Sequence, residues 1–253
     1  MSAISELIDV MKRLRAEGGC PWDREQNHES LKPYLIEEAY EVLDAIDKRD
    51  DEALREELGD LLLQIVFHAQ IAAEESRFTV EDVARTIVEK LKRRHPHVFG
   101  NGRVRDSEEV LRNWEAIKKG EGKESVLSGV PGGLPSLLRA RRVQEKARRV
   151  GFDWDSIEGV TAKVMEELRE LKQASESGDR AKVDEEFGDL LFSLVNFSRF
   201  LGVDAEDSLR RTIDKFSARF QRMERTAKAR GKQSLESCTL EEMDALWEEA
   251  KNG

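Results

Sequence analysis

Eight acidic residues fall into two sets of four with one common spacing. Glu38 and Glu41 stand in EEAYE (37–41), and Glu57 and Asp60 in ELGDLL (57–62). Glu167 and Glu170 stand in EELRE (166–170), and Glu186 and Asp189 in EFGDLL (186–191). Each member of the first set lies 129 residues before its counterpart. A single ExxE or ExxD on a helix is ordinarily a solvated face. Four acidic positions sharing one offset mark an internal repeat instead. At ~100° per residue, Leu31, Leu35, Ala39, Val42 and Ile46 form an apolar stripe with Glu38 at its border. Leu54, Leu58, Leu61 and Ile65 do the same beside Glu57. Each helix therefore carries an acid pair, one turn apart, at the edge of its core face. A short link should fold the two helices back on each other, so that four carboxylates converge at the rim of the groove. Such a quartet takes up protons unless cations balance it. Hard divalent metals are its natural partners, Mg²⁺ first and Mn²⁺ as an alternative. No His or Cys joins either set, which argues against zinc. The Glu-x-x-His motifs of a di-iron bundle are also missing.

Bases supply the second half of a phosphate site. Lys215 and Arg219 lie one helical turn apart, and Lys90 and Arg94 match them at an offset of 125. Trp247 and Lys251 form a similar pair, matched by Trp114 and Lys118 at an offset of 133. Guanidinium and ammonium groups suit phosphate oxygens. An indole beside them could stack a base, although Trp247 taken alone is more often a core or interface residue. Lys163 and Lys182 each stand one turn before a carboxylate of the second set, where the first set has Tyr34 and Ala53. Together with Glu185 they join the substrate-binding set, and their positions make the second unit the expected main catalyst. Glu166 and Glu37 are candidate proton acceptors, although they point further from the core. His95 and His97, in RRHPHVF, read as structural or loop residues.

The rest of the chain must position these groups. Its 253 residues contain 39% hydrophobic and 37% charged residues, with long stretches free of Pro and Gly. That mixture forms amphipathic helices. The reading is all-α, with helices over 2–16, 31–48, 51–75, 79–94 and 106–119, then 136–149, 158–177, 180–201, 203–230 and 239–251. Ser30 is a candidate cap for the second of these, and Thr79 for the fourth. A linker rich in Gly, Ser and Pro near 121–135 separates a unit over 1–120 from one over 136–253.

The net charge of −10 argues against a general nucleic-acid binder. The six bases between 139 and 149 (RARRVQEKARR) are read first as a solvated face or a protein contact. No apolar run approaches the ~18 residues that span a membrane. The N-terminal segment reads as an amphipathic helix, not a signal peptide. Two distant cysteines, Cys20 and Cys238, suit a reduced, cytoplasmic setting.

With these residues in view, the sequence resembles the MazG family of nucleoside triphosphate pyrophosphohydrolases in its two-unit form. GGCPWDREQ (18–26), the EExxE and ExxD blocks, RRHPHVFG (93–100), VGFDW (150–154) and the two WExxK endings carry the resemblance. It implies a tandem pair of helical bundles of the all-α NTP pyrophosphatase type, assembled as a homodimer. It implies hydrolysis of nucleoside triphosphates to monophosphate and pyrophosphate, with Mg²⁺ held by the Glu/Glu/Glu/Asp set. It also implies nucleotide contacts for Lys215, Arg219 and Trp247. A nucleotide-sensing or protein-binding scaffold that keeps the metal site without turnover is the competing reading.

Overall fold

The computed structural model describes residues 2–106, 109–110, 113–114 and 125–252. Among these, every regular element is helical. The chain divides into two compact units, Met1–Val110 and Leu111–Gly253.

The first unit contains α1 (Ala3–Arg15), α2 (Pro21–Glu25), α3 (Lys32–Lys48), α4 (Asp51–Glu74), α5 (Val80–Arg94) and α6 (Pro96–Phe99). α4 packs along α3 and also meets α1 and α5. Met11, Leu31, Val66, Phe67 and Ile71 form its buried core. Arg15 fastens the end of α1 to the end of α4. Its Nη2 lies 2.8 Å from Glu74 Oε2, and Nη1 donates to the Gln26 carbonyl at 3.1 Å. That guanidinium holds the Glu74 carboxyl below its usual range. Gly19 is required where the chain leaves α1, because a Cβ there would stand 2.3 Å from the Leu14 carbonyl oxygen.

The second unit contains α7 (Ser136–Arg148), α8 (Ile157–Ser177), α9 (Arg180–Phe200), α10 (Ala205–Ala229), a 3₁₀ turn (Leu235–Ser237) and α11 (Leu240–Asn252). α9 packs along α8 and under α7, and α10 carries α11. Met223, Ala227, Leu246 and Ala250 form a core between α10 and α11, with Trp247 packed against it.

The repeat extends into the turns. α3 ends at Arg49 in the left-handed region (φ 54°), and the Asp50 carboxylate then accepts from the Glu52 and Ala53 N–H groups. α8 ends at Gly178 (φ 74°), and Asp179 accepts from Ala181 and Lys182 in the same way. Both pairs sit at the offset of 129. Glycine takes this conformation without strain and arginine does not, so the first turn is the costlier copy.

The expected helices over 2–94 and 136–251 agree with the structure to within two residues at each end. Thr79 caps α5 in a full capping box with Asp82. Ser30 does not cap α3; its hydroxyl bonds Gln26 Oε1 and the Asn27 backbone, and the helix starts from Leu31 without a side-chain cap. The expected helix over 106–119 lies mostly outside the described residues. The apolar stripes are only partly covered: Leu31 is buried, but Ile46, Leu58 and Ile65 are exposed. One unit has too few helices to cover them.

A histidine pair joins the α2–α3 loop to α4. His28 Nδ1 lies 2.8 Å from His68 Nδ1, and Arg77 Nη2 lies 2.6 Å from His28 Nε2. Arginine only donates, so His28 Nε2 accepts and His28 Nδ1–H donates to His68. Both rings are neutral in this arrangement. Burial, and then the neighbouring His28, lowers the pKa of His68. A lowered histidine pKa means that the unfolded chain binds the proton more readily. The contribution of His68 is therefore complete above about pH 6.5 and is lost as pH falls from there through its folded-state pKa. Thermal unfolding between pH 8 and 5 should show this loss for the wild type, and a smaller one for His68→Gln. Equal pH dependence in the two proteins would contradict it.

Candidate metal and nucleotide site

The two-residue turn between α8 and α9 sets the carboxylates of the second unit against one another. Oxygens of Glu167, Glu186 and Asp189 lie within 4.8 Å of each other. Glu167 is 4% exposed, whereas Asp189 faces solvent. Lys163 Nζ stands 2.7 Å from Glu167 Oε1 and 2.9 Å from Glu166 Oε1. Both contacts raise the lysine pKa above its usual range, with Glu167 foremost. Partial burial, then Glu170, raises the pKa of Glu186, while Lys182 opposes the rise. Glu167 and Glu185 add to it. Glu170 thus lies within electrostatic reach of the trio.

In the first unit the close trio is Glu38, Glu41 and Glu57, again within 4.8 Å. Partial burial raises the pKa of Glu38, followed by Asp60, Glu41 and Glu57. Glu57 is raised by burial, then by Glu41 and Asp60. The matched quartets therefore gather in both units, with a different member at the margin: Asp60 in the first and Glu170 in the second. The positions matching Lys163 and Lys182 behave differently. Tyr34 sits edge-on to Trp22 at 5.8 Å, and Ala53 brings no charge.

This donor set suits a hard divalent cation. All donors are carboxylate oxygens, they converge from two helices, and the most buried of them already holds a cationic group.

The basic residues gather on α10 and α11. Lys215, Arg219, Arg222 and Lys251 line a cleft of about 240 Å³ with Ala218 and Ala250. The Arg219 guanidinium carbon and Lys251 Nζ each lie 5.9 Å from the Trp247 ring centre. Phe216 lies 5.2 Å from the same ring. Trp247 is half-buried, so it serves the core and presents a face beside cations. The sequence reading missed Phe216 and Arg222. For Arg222 the signal was its helical spacing from Lys215 and Arg219 on one face.

In the first unit, Lys90 is exposed and Arg94 is half-buried near the end of α5. Trp114, past the end of the first unit at Val110, is half-buried, and Lys118 lies outside the described residues. His95 Nδ1 bonds the Leu91 carbonyl at 2.7 Å, in keeping with a structural role. Several bases of the stretch on α7 are matched inside their own unit. Arg141 pairs with Glu145 and Asp204, Arg142 with Glu145, and Lys146 with the Val126 and Ser128 carbonyls.

Comparison with known proteins places this geometry in context. The model of the MazG nucleotide pyrophosphohydrolase domain matches twice, over residues 26–99 and 155–223. Each match contains one carboxylate quartet, and the second reaches Lys215 and Arg219. The chain is 52% identical, over 98% of its length and 95% of the other, to the nucleoside triphosphate pyrophosphohydrolase/pyrophosphatase MazG of Thermotoga maritima. It is 45% identical, over 99% of its length and 98% of the other, to the nucleoside triphosphate pyrophosphohydrolase of Escherichia coli K12.

Proposed function

The chain belongs to the MazG nucleotide pyrophosphohydrolase family, and we propose from its geometry how it hydrolyses nucleoside triphosphates to nucleoside monophosphate and pyrophosphate. The observation that carries this reading is the convergence of Glu167, Glu186 and Asp189 at the seam of α8 and α9, with Lys163 on the buried member.

Glu167, Glu170, Glu186 and Asp189 would hold Mg²⁺, or Mn²⁺ in its place. Glu38, Glu41, Glu57 and Asp60 would do the same in the first unit. When bound there, such a metal would lower the pKa of a water and offset charge on the triphosphate. The protein's own groups do the rest. The carboxylates fix the direction from which the water approaches the α-phosphorus. Glu166, half-buried beside Lys163, accepts the water's proton. The new bond joins the water oxygen to the α-phosphorus, and the bond to the α–β bridging oxygen breaks, so pyrophosphate leaves with that oxygen. Lys163, Lys182, Lys215, Arg219 and Lys251 offset the charge that gathers on it. Trp247 offers its face to the base.

Phosphate detection with malachite green, run with and without added inorganic pyrophosphatase, tests the reaction. Signal only with the added enzyme is expected. Phosphate released without it would contradict pyrophosphate as the product. No signal in either case would favour the second reading, a nucleotide-sensing scaffold.

We also propose that the chain acts as a homodimer. Phe187, Leu191 and Leu194 on α9, with Ile213 and Phe220 on α10, are exposed apolar residues on consecutive helices. Apolar surface of this extent marks an association face, and a second copy presents the same surface. Light scattering should give about twice the 28.9 kDa chain mass. A fully active monomer at micromolar concentration would refute this. Among the described residues no helix is long and apolar enough to cross a membrane. Both cysteines are free, which fits the cytoplasmic setting we infer.

A further inference from the structure

The family relationship accounts for the carboxylates, but not for the lysine that stands against the most buried of them. We propose that Lys163 is the resident counter-ion of the second-unit carboxylates, seated on Glu167 until a divalent cation enters and displaced by it. This rests on the metal reading above.

Glu167 is 4% exposed. An ionised carboxylate so removed from water needs a cation or a proton. Lys163 supplies the cation from one turn back on the same helix. Its ammonium stands 2.7 Å from Glu167 and 2.9 Å from Glu166, while its own side chain keeps 38% exposure. The contact therefore joins a buried carboxylate to a side chain that stays partly open to solvent. Four flexible methylenes let the ammonium leave without moving the helix. A divalent ion held by Glu167, Glu186 and Asp189 needs the same Glu167 carboxylate and repels the ammonium. Lysine and metal therefore compete for one carboxylate.

The first unit lacks this device. Tyr34 stands at the matching position and packs edge-on to Trp22, 5.8 Å away. The groups acting on Glu38 and Glu57 are other carboxylates.

The test uses the full chain with Glu38→Gln and Glu57→Gln, so that only the second unit binds. Free Mn²⁺ is read by electron paramagnetic resonance at pH 8, with no nucleotide present. Lys163→Met should bind Mn²⁺ roughly tenfold more tightly than this parent, the scale of one ionic interaction partly screened by water. Lys163→Gln should follow it, and Lys163→Arg should bind no more tightly than the parent. In EDTA, Lys163→Met should melt below the parent, with the gap closing at saturating Mn²⁺. Equal or weaker Mn²⁺ binding by both uncharged variants overturns the counter-ion role and leaves the metal site standing. A parent and variants that all fail to bind Mn²⁺ would overturn the metal reading, and this inference with it.

Discussion

With the first unit silenced by Glu38→Gln and Glu57→Gln, Glu167→Gln is expected to lower Mg²⁺-dependent turnover by roughly 10²–10³-fold. That is the scale on which removal of one electrostatic group acts in a catalytic site. The helical circular dichroism signal should survive. Glutamine keeps the shape of Glu167, and its carbonyl oxygen can still accept from Lys163. Removing one charge from a set of carboxylates within 4.8 Å also relieves repulsion and opens no cavity. Asp189→Asn should behave alike, since Asp189 faces solvent and adds little to packing. Steady-state rates with a saturating triphosphate, read beside circular dichroism, check both variants. Wild-type turnover in either would remove that residue from the metal site.

The two units are expected to contribute unequally. Glu38→Gln with Glu41→Gln should leave most of the hydrolysis intact, whereas Glu167→Gln with Glu170→Gln should remove nearly all of it. The structure gives this asymmetry a physical basis. Lys163 sits on Glu167, and Lys182 acts on Glu186. The matching residues, Tyr34 and Ala53, bring no charge to the first set. A triphosphate carries several negative charges, and a carboxylate site without nearby cations repels it. The cationic cleft with its indole likewise belongs to the second unit, on α10 and α11. Rates of the two double variants decide the matter, and equal losses would contradict the asymmetry.

Much of this was legible in the sequence because the repeat exposes it. One offset linked eight carboxylates and, in the structure, also links the turns Arg49–Asp50 and Gly178–Asp179. Long helices with polar caps have strong periodic and capping signals, which is why Thr79 was placed correctly. Ser30 misled because its hydroxyl had a nearer partner in Gln26 and the Asn27 backbone. The short helices Pro21–Glu25 and Pro96–Phe99 hold too few turns to show a period. The pairing of His28 with His68 joins residues 40 apart in sequence, and no local pattern encodes it. The contact of Lys163 with Glu167 lay at helical spacing and was readable as proximity. Its burial was not, because burial depends on how α9 packs over α8.

The most direct measurement is hydrolysis in ¹⁸O-labelled water. Attack at the α-phosphorus places the solvent oxygen in the nucleoside monophosphate, and mass spectrometry should find one label there and none in pyrophosphate. Label in pyrophosphate with an unlabelled monophosphate would mean attack at the β-phosphorus, and would contradict the water position assigned to Glu167, Glu186 and Asp189.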